Sequence, residues 1–75
     1  MVNLMEIAAR LDENEKLMLK YRMPVGAGGG MQWVVRVDRL LDVAEDRGLV
    51  YVERDGEPAW VAVDEALEVL NGGTK

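Results

Sequence analysis

The sequence predicts a small α+β domain of order α-ββα-ββα, an antiparallel four-stranded sheet with helices packed on one face. Three observations predict it. Two alternating apolar/polar runs flank a glycine-rich stretch, an Asp-Gly pair separates two β-rich runs, and three segments place apolar residues at helical spacing behind a capping side chain. Residues 1–75 form a single domain, with a frayed tail at 72–75.

The first helix is expected over 3–11. Leu4, Ile7, Ala8 and Leu11 share one face, and Asn3 with Glu6 three positions later has the spacing of a capping box. The polar run Asp12-Glu13-Asn14-Glu15 ends it. From Lys16 to Val25 the period changes to two: Leu17, Leu19, Tyr21 and Met23 point one way, and Lys16, Met18, Lys20 and Arg22 the other. Pro24 restricts this strand to an edge or to its own end. Gly26-Ala27-Gly28-Gly29-Gly30 follows as a five-residue loop, and Met31 to Val37 alternates again, so the two runs form a β-hairpin.

Asp38 has N-cap chemistry, Leu40, Leu41 and Ala44 share a face, and Gly48 suits the position after a helix C-terminus, so a second helix is expected over 38–47. Val34, Val37, Leu41 and Ala44 also fit one longer helix over 31–47, but the run Trp33-Val34-Val35 favours a strand there. Leu49–Arg54 and Pro58–Val63 form a second hairpin about Asp55-Gly56. Asp64 caps a last helix in which Ala66, Leu67 and Leu70 pack, ended by Asn71-Gly72-Gly73. The stretches Leu40-Leu41-Asp42-Val43 and Ala66-Leu67-Glu68-Val69 echo each other, each behind a Trp-bearing strand and an aspartate. Trp33 and Trp60 are expected in the core.

Leu40-Leu41, then Ala44-Glu45-Asp46-Arg47-Gly48-Leu49-Val50, then Tyr51 to Gly56 and Trp60 to Val63 resemble the recognition-helix and wing half of a winged-helix domain over 38–63. That resemblance implies a DNA-binding transcriptional regulator. The helix it assigns carries Asp38, Asp42, Glu45 and Asp46 against Arg39 and Arg47, a balance that repels phosphate and suits a protein-binding member of the family. Arg54-Asp55-Gly56-Glu57-Pro58 with its flanking valines also resembles the hairpin of Phd/YefM-type antitoxins.

The chain has no serine, cysteine or histidine, and its one threonine is Thr74. The usual nucleophiles and the side chain that titrates near neutral pH are missing, so no enzyme, catalytic residue, metal site or cofactor is expected. The net charge of −5 disfavours attraction of the whole surface to nucleic acid or anionic lipid. No apolar run approaches the ~20 residues of a membrane span and no signal peptide precedes the first helix, so no membrane association and a cytoplasmic location are expected. A chain this short is marginal alone and has no disulfide to brace it, which makes a homodimer the expected remedy.

Charge is unevenly spread. Residues 16–37 carry Lys16, Lys20, Arg22 and Arg36 and no acid, or +4; the remainder holds the other 5 of 9 basic residues and all 14 acids, or −9. With a five-residue loop, Lys20, Arg22, Gln32 and Arg36 share one face beside the flexible Gly28-Gly29. These six residues are the expected partner-binding site. The partner class is a macromolecule, a protein first and nucleic acid second. The expected function is that of a non-enzymatic small regulator or inhibitor, a role common among short phage- and plasmid-encoded chains.

Overall fold

Asn3 starts the fold: its side chain accepts a hydrogen bond from the Glu6 backbone N–H at 3.2 Å and caps α1, Leu4–Asp12, in a computed structural model that describes residues 2–71 and, for Ala27, the backbone alone. Ile7 of this helix reaches the core, with Val2, Leu4 and Leu11 packed around it. The predicted frayed tail, 72–75, lies outside the described residues.

Among the described residues, everything after α1 is strand and turn. β1 runs Leu17–Ala27, β2 Gly30–Ala44, β3 Leu49–Arg54, β4 Glu57–Ala62 and β5 Ala66–Asn71. They form one five-stranded antiparallel sheet in the order β4-β3-β2-β1-β5, mostly β rather than the expected α-ββα-ββα. The first four strands are sequential neighbours, and β5 returns to the free side of β1 through a 3-10 turn at Val63–Glu65. Leu17, Leu19 and Tyr21 of β1, Leu40 of β2, Val50 and Val52 of β3, Val61 of β4 and Ala66 of β5 line the inner face and form one core with Ile7.

Two expected helices are therefore strands, and one physical cause accounts for both. A bulge at Leu41 shifts the β2–β3 register, so Leu40 opposes Val52 and Val43 opposes Val50 on the inner face. A bulge at Leu67 likewise places Ala66 opposite Tyr21 and Val69 opposite Leu19. Each extra residue turns the period of two into a spacing of three, which has the appearance of a helical face in sequence. The echo between Leu40-Leu41-Asp42-Val43 and Ala66-Leu67-Glu68-Val69 is thus a repeated bulge, with Leu41 and Leu67 exposed in both. Helical conformation near Gly48 shrinks to the 3-10 turn Glu45–Arg47, which ends at that glycine with φ of 66°. The recognition helix of the winged-helix resemblance is absent, and so is the longer helix over 31–47; its wing segment survives as the β3–β4 hairpin.

Both hairpin tips follow from local chemistry. Gly28 and Gly29 have φ of 56° and 86°, and Asp55 and Gly56 have 55° and 84°. Two successive positive φ values are what a tight two-residue loop between twisted strands requires.

Candidate functional site

β1 and β2 are 11 and 15 residues long, while β3, β4 and β5 have six each. β5 stops pairing at Tyr21, and β3 at Arg39. Beyond those points the first hairpin continues alone as a two-stranded arm. Its segment from Arg22 to Ala27 is about 20 Å long at ~3.3 Å per residue, within a molecule of 44 × 28 × 20 Å. Pro24 fits here because it lies past the last residue paired to β5, where the ladder needs no N–H.

The loop length decides which side chains share a face. A five-residue loop would oppose Lys20 to Arg36. The observed two-residue loop, with Ala27 opposite Gly30, opposes Lys20 to Val37, Arg22 to Val35, Tyr21 to Arg36 and Val25 to Gln32. A shift of one residue moves a whole strand's side chains to the other face. Lys20 and Arg22 therefore lie on the outer face, whereas Gln32 and Arg36 lie on the inner face, the side that carries the core. Gly28 and Gly29 form the tip. The expected cluster of Lys20, Arg22, Gln32 and Arg36 is split between two faces.

The outer face of the arm is mainly apolar. Met31, Trp33 and Val35 are 71%, 57% and 58% exposed, and Val37 continues the row toward the body. The Arg22 guanidinium lies 4.8 Å from the Trp33 ring centroid, while its Nε donates to Oε1 of Glu65. Trp60, on β4, is also exposed, at 63%. Both tryptophans were expected in the core; instead branched aliphatics, leucines and Tyr21 fill it. The parity of β2 explains Trp33: Leu40 points inward, so Trp33 points outward before the Leu41 bulge changes phase.

On the inner face, at the root of the arm, polar groups satisfy one another. The fully buried Tyr21 donates its hydroxyl to Oδ2 of Asp38 at 2.6 Å. Arg36 donates to both oxygens of Asp38, at 2.9 and 3.3 Å, and to Asp55 at the β3–β4 tip. Arg54 donates to the Tyr21 oxygen at 3.0 Å. The Arg36 guanidinium holds the Asp38 carboxyl below its usual range against the opposing effect of burial. Asp38 in turn raises Arg36, and burial, reinforced by the Asp38 carboxylate, pushes the Tyr21 hydroxyl up. The Arg36 charge is thus paired within the molecule, by Asp38 and Asp55. Sequence patterning missed this network because its members come from β1, β2, β3 and the second tip, and Asp38 and Arg36 turn inward only through the pairing register that the two-residue loop sets.

No group of histidine, cysteine, aspartate or glutamate among the described residues is arranged to hold a metal ion. A depression of about 390 Å³ between α1 and the end of β2 is bordered by Asp12, Asp42, Glu45 and Asp46. No protein-family model, no curated protein and no solved structure matches this chain.

Proposed function

We propose that this chain is a non-catalytic binding protein that acts on a protein partner through the outer face of its β1–β2 arm. The observation that carries the proposal is the exposed row Met31, Trp33, Val35 and Val37, with Arg22 stacked on Trp33. Tryptophan, methionine and arginine are enriched in the cores of protein interfaces, where acidic side chains are scarce. Residues 22–35 match that composition: they contain one charge, Arg22, and no acid. The remainder of the molecule is strongly acidic, which favours a protein over a phosphate backbone. Lys20 and Arg22 extend the face at its root, so an acidic rim on the partner suits it. Lack of serine, cysteine and histidine supports a role in occupancy rather than turnover, as in a small regulator or inhibitor.

The test compares affinity capture from host extract by the wild-type chain and by the Arg22→Glu/Trp33→Ala variant, with Glu57→Lys at the distant hairpin as control. The expected result is a discrete protein partner that the double variant loses by more than about tenfold, the equivalent of ~1.4 kcal/mol, and that the control retains. Equal capture by the double variant rejects the arm as the binding element. Nucleic-acid binding with a log-log salt slope near −3 to −4 would transfer the proposal to the other partner class.

A further inference from the structure

We propose that β2 pairs edge to edge, antiparallel, with β2 of a second copy, forming a twofold dimer through the arm. The two-residue loop makes Ala27 and Gly30 a hydrogen-bonded pair. Counting from Gly30, alternate residues Met31, Trp33, Val35 and Val37 aim their backbone N–H and C=O groups away from β1. The same count makes Arg39 the next outward residue, which is where pairing to β3 begins. Among the described residues, no strand lies beside this edge between the tip and Arg39. Long apolar edges of this kind recruit another strand unless they are blocked.

The other edges are shorter or interrupted. The count places Pro24 at an outward position of β1, past the end of β5, where its missing N–H interrupts a ladder. Pro58 occupies the equivalent outward position on β4, one residue beyond the Arg54–Glu57 pair that closes the second tip. β5 is short and bulged and carries Glu68. On β2, the stretch Gly30 to Val35 has neither proline nor charge.

These features select a second copy as the occupant. One long arm edge without proline or charge among the described residues makes the contact self-complementary and closes it at two chains, whereas two such edges would propagate a fibre. A twofold axis through the Trp33–Val34 stretch brings Met31, Trp33 and Val35 of both copies side by side, the aromatic and β-branched cross-strand pairing that stabilises sheets. No pair of like charges meets within Gly30–Val35. The geometry also separates the acidic bodies at opposite ends of the shared ribbon, on the order of 20 Å apart, beyond the ~10 Å screening length at 0.1 M salt. Edge pairing leaves the outer face open, so this inference stands independently of the partner proposed above.

Sedimentation equilibrium of the purified full chain tests it, together with intermolecular nuclear Overhauser effects in a mixed isotope-labelled sample. The expected mass is twice the 8.4 kDa of one chain, with intermolecular contacts among Met31, Trp33 and Val35. Val35→Pro removes an outward N–H without touching the β1–β2 ladder and shifts the species to a single chain. Arg22→Glu leaves the dimer intact even where it abolishes partner capture, which separates the two proposals. If Val35→Pro fails to fold, the wild-type contacts decide. A wild-type chain that sediments at the single-chain mass, a folded Val35→Pro that remains dimeric, or a dimer whose contacts lie elsewhere overturns the proposal. So does a strand from a different protein occupying this edge while the purified chain is monomeric.

Discussion

The body and the arm share the same two strands and differ in what lies beside them. Up to Tyr21, β1 has β2 on one side and β5 on the other, and its inward side chains are buried in one core with Ile7 of α1 and Val50 and Val52 of β3. Two residues later Met23 is only half-buried, and Val25 is exposed. The alternation continues unbroken across that boundary. A period of two therefore marks a strand without specifying that either face is covered. Coverage comes from the length of the neighbours, and β3 and β5 are too short to reach the arm. An isolated two-stranded ribbon is marginal in water, so the arm relies on Gly28-Gly29, the Arg22–Trp33 stack and the polar cluster at its root.

The sharpest way to break this contrast is to remove the same kind of atoms from each region. Leu19→Ala should cost about 3 kcal/mol by leaving a cavity in the body, read as a large fall in the urea midpoint. Val25→Ala in the arm should cost under ~0.5 kcal/mol, measured in the dispersed chain. Comparable losses would mean that the arm is packed as the body is.

The next effect concerns the junction. Asp38→Asn weakens charge-assisted bonds to Arg36 and Tyr21 and should cost about 2 kcal/mol. The Asp38 pKa is lowered in the folded state, so its stabilisation is present above the unfolded value of about 3.9 and is lost as pH falls through the folded value. Urea melts below about pH 4 should therefore show an acid-side decline that Asp38→Asn reduces. An unchanged acid limb in the variant would remove Asp38 from the linkage.

The smallest effect tests the tip. Gly29 has φ of +86° with open space around it, so Gly29→Ala should strain the turn without a clash. A penalty of about 1 kcal/mol should appear as faster amide exchange at Met23 and Val34, with Val50 and Val52 unchanged. Uniform acceleration would show that the arm and body open as one unit.

A few local elements were legible from short-range chemistry, while the α-ββα-ββα arrangement they were assembled into was not the fold. The Asn3 cap, the alternation over 16–25, the tight Asp55-Gly56 turn and the existence of a glycine-led hairpin, though not its loop length, each depend on residues within a few positions of one another. The candidate site was less legible. Its Arg36 moved to the inner face because one shorter loop changed the pairing register, and its aromatic element, Trp33, was expected in the core. The strands at Leu40–Ala44 and Ala66–Asn71 were hidden because each contains a bulge whose only signature is a spacing of three.

By itself, then, the sequence determined the Asn3 cap, the tight Asp55-Gly56 turn, the lack of serine, cysteine and histidine and the acid-free composition of residues 22–35, since each is a property of side chains or of backbone angles a few residues apart. Tertiary structure alone decided that two helix-like stretches are strands, that Arg36 closes a network with Tyr21, Asp38 and Asp55, and that β2 outruns β3 and leaves an apolar edge unpaired among the described residues. Those outcomes depend on strand register and on which strand ends first, quantities fixed by pairing between distant segments.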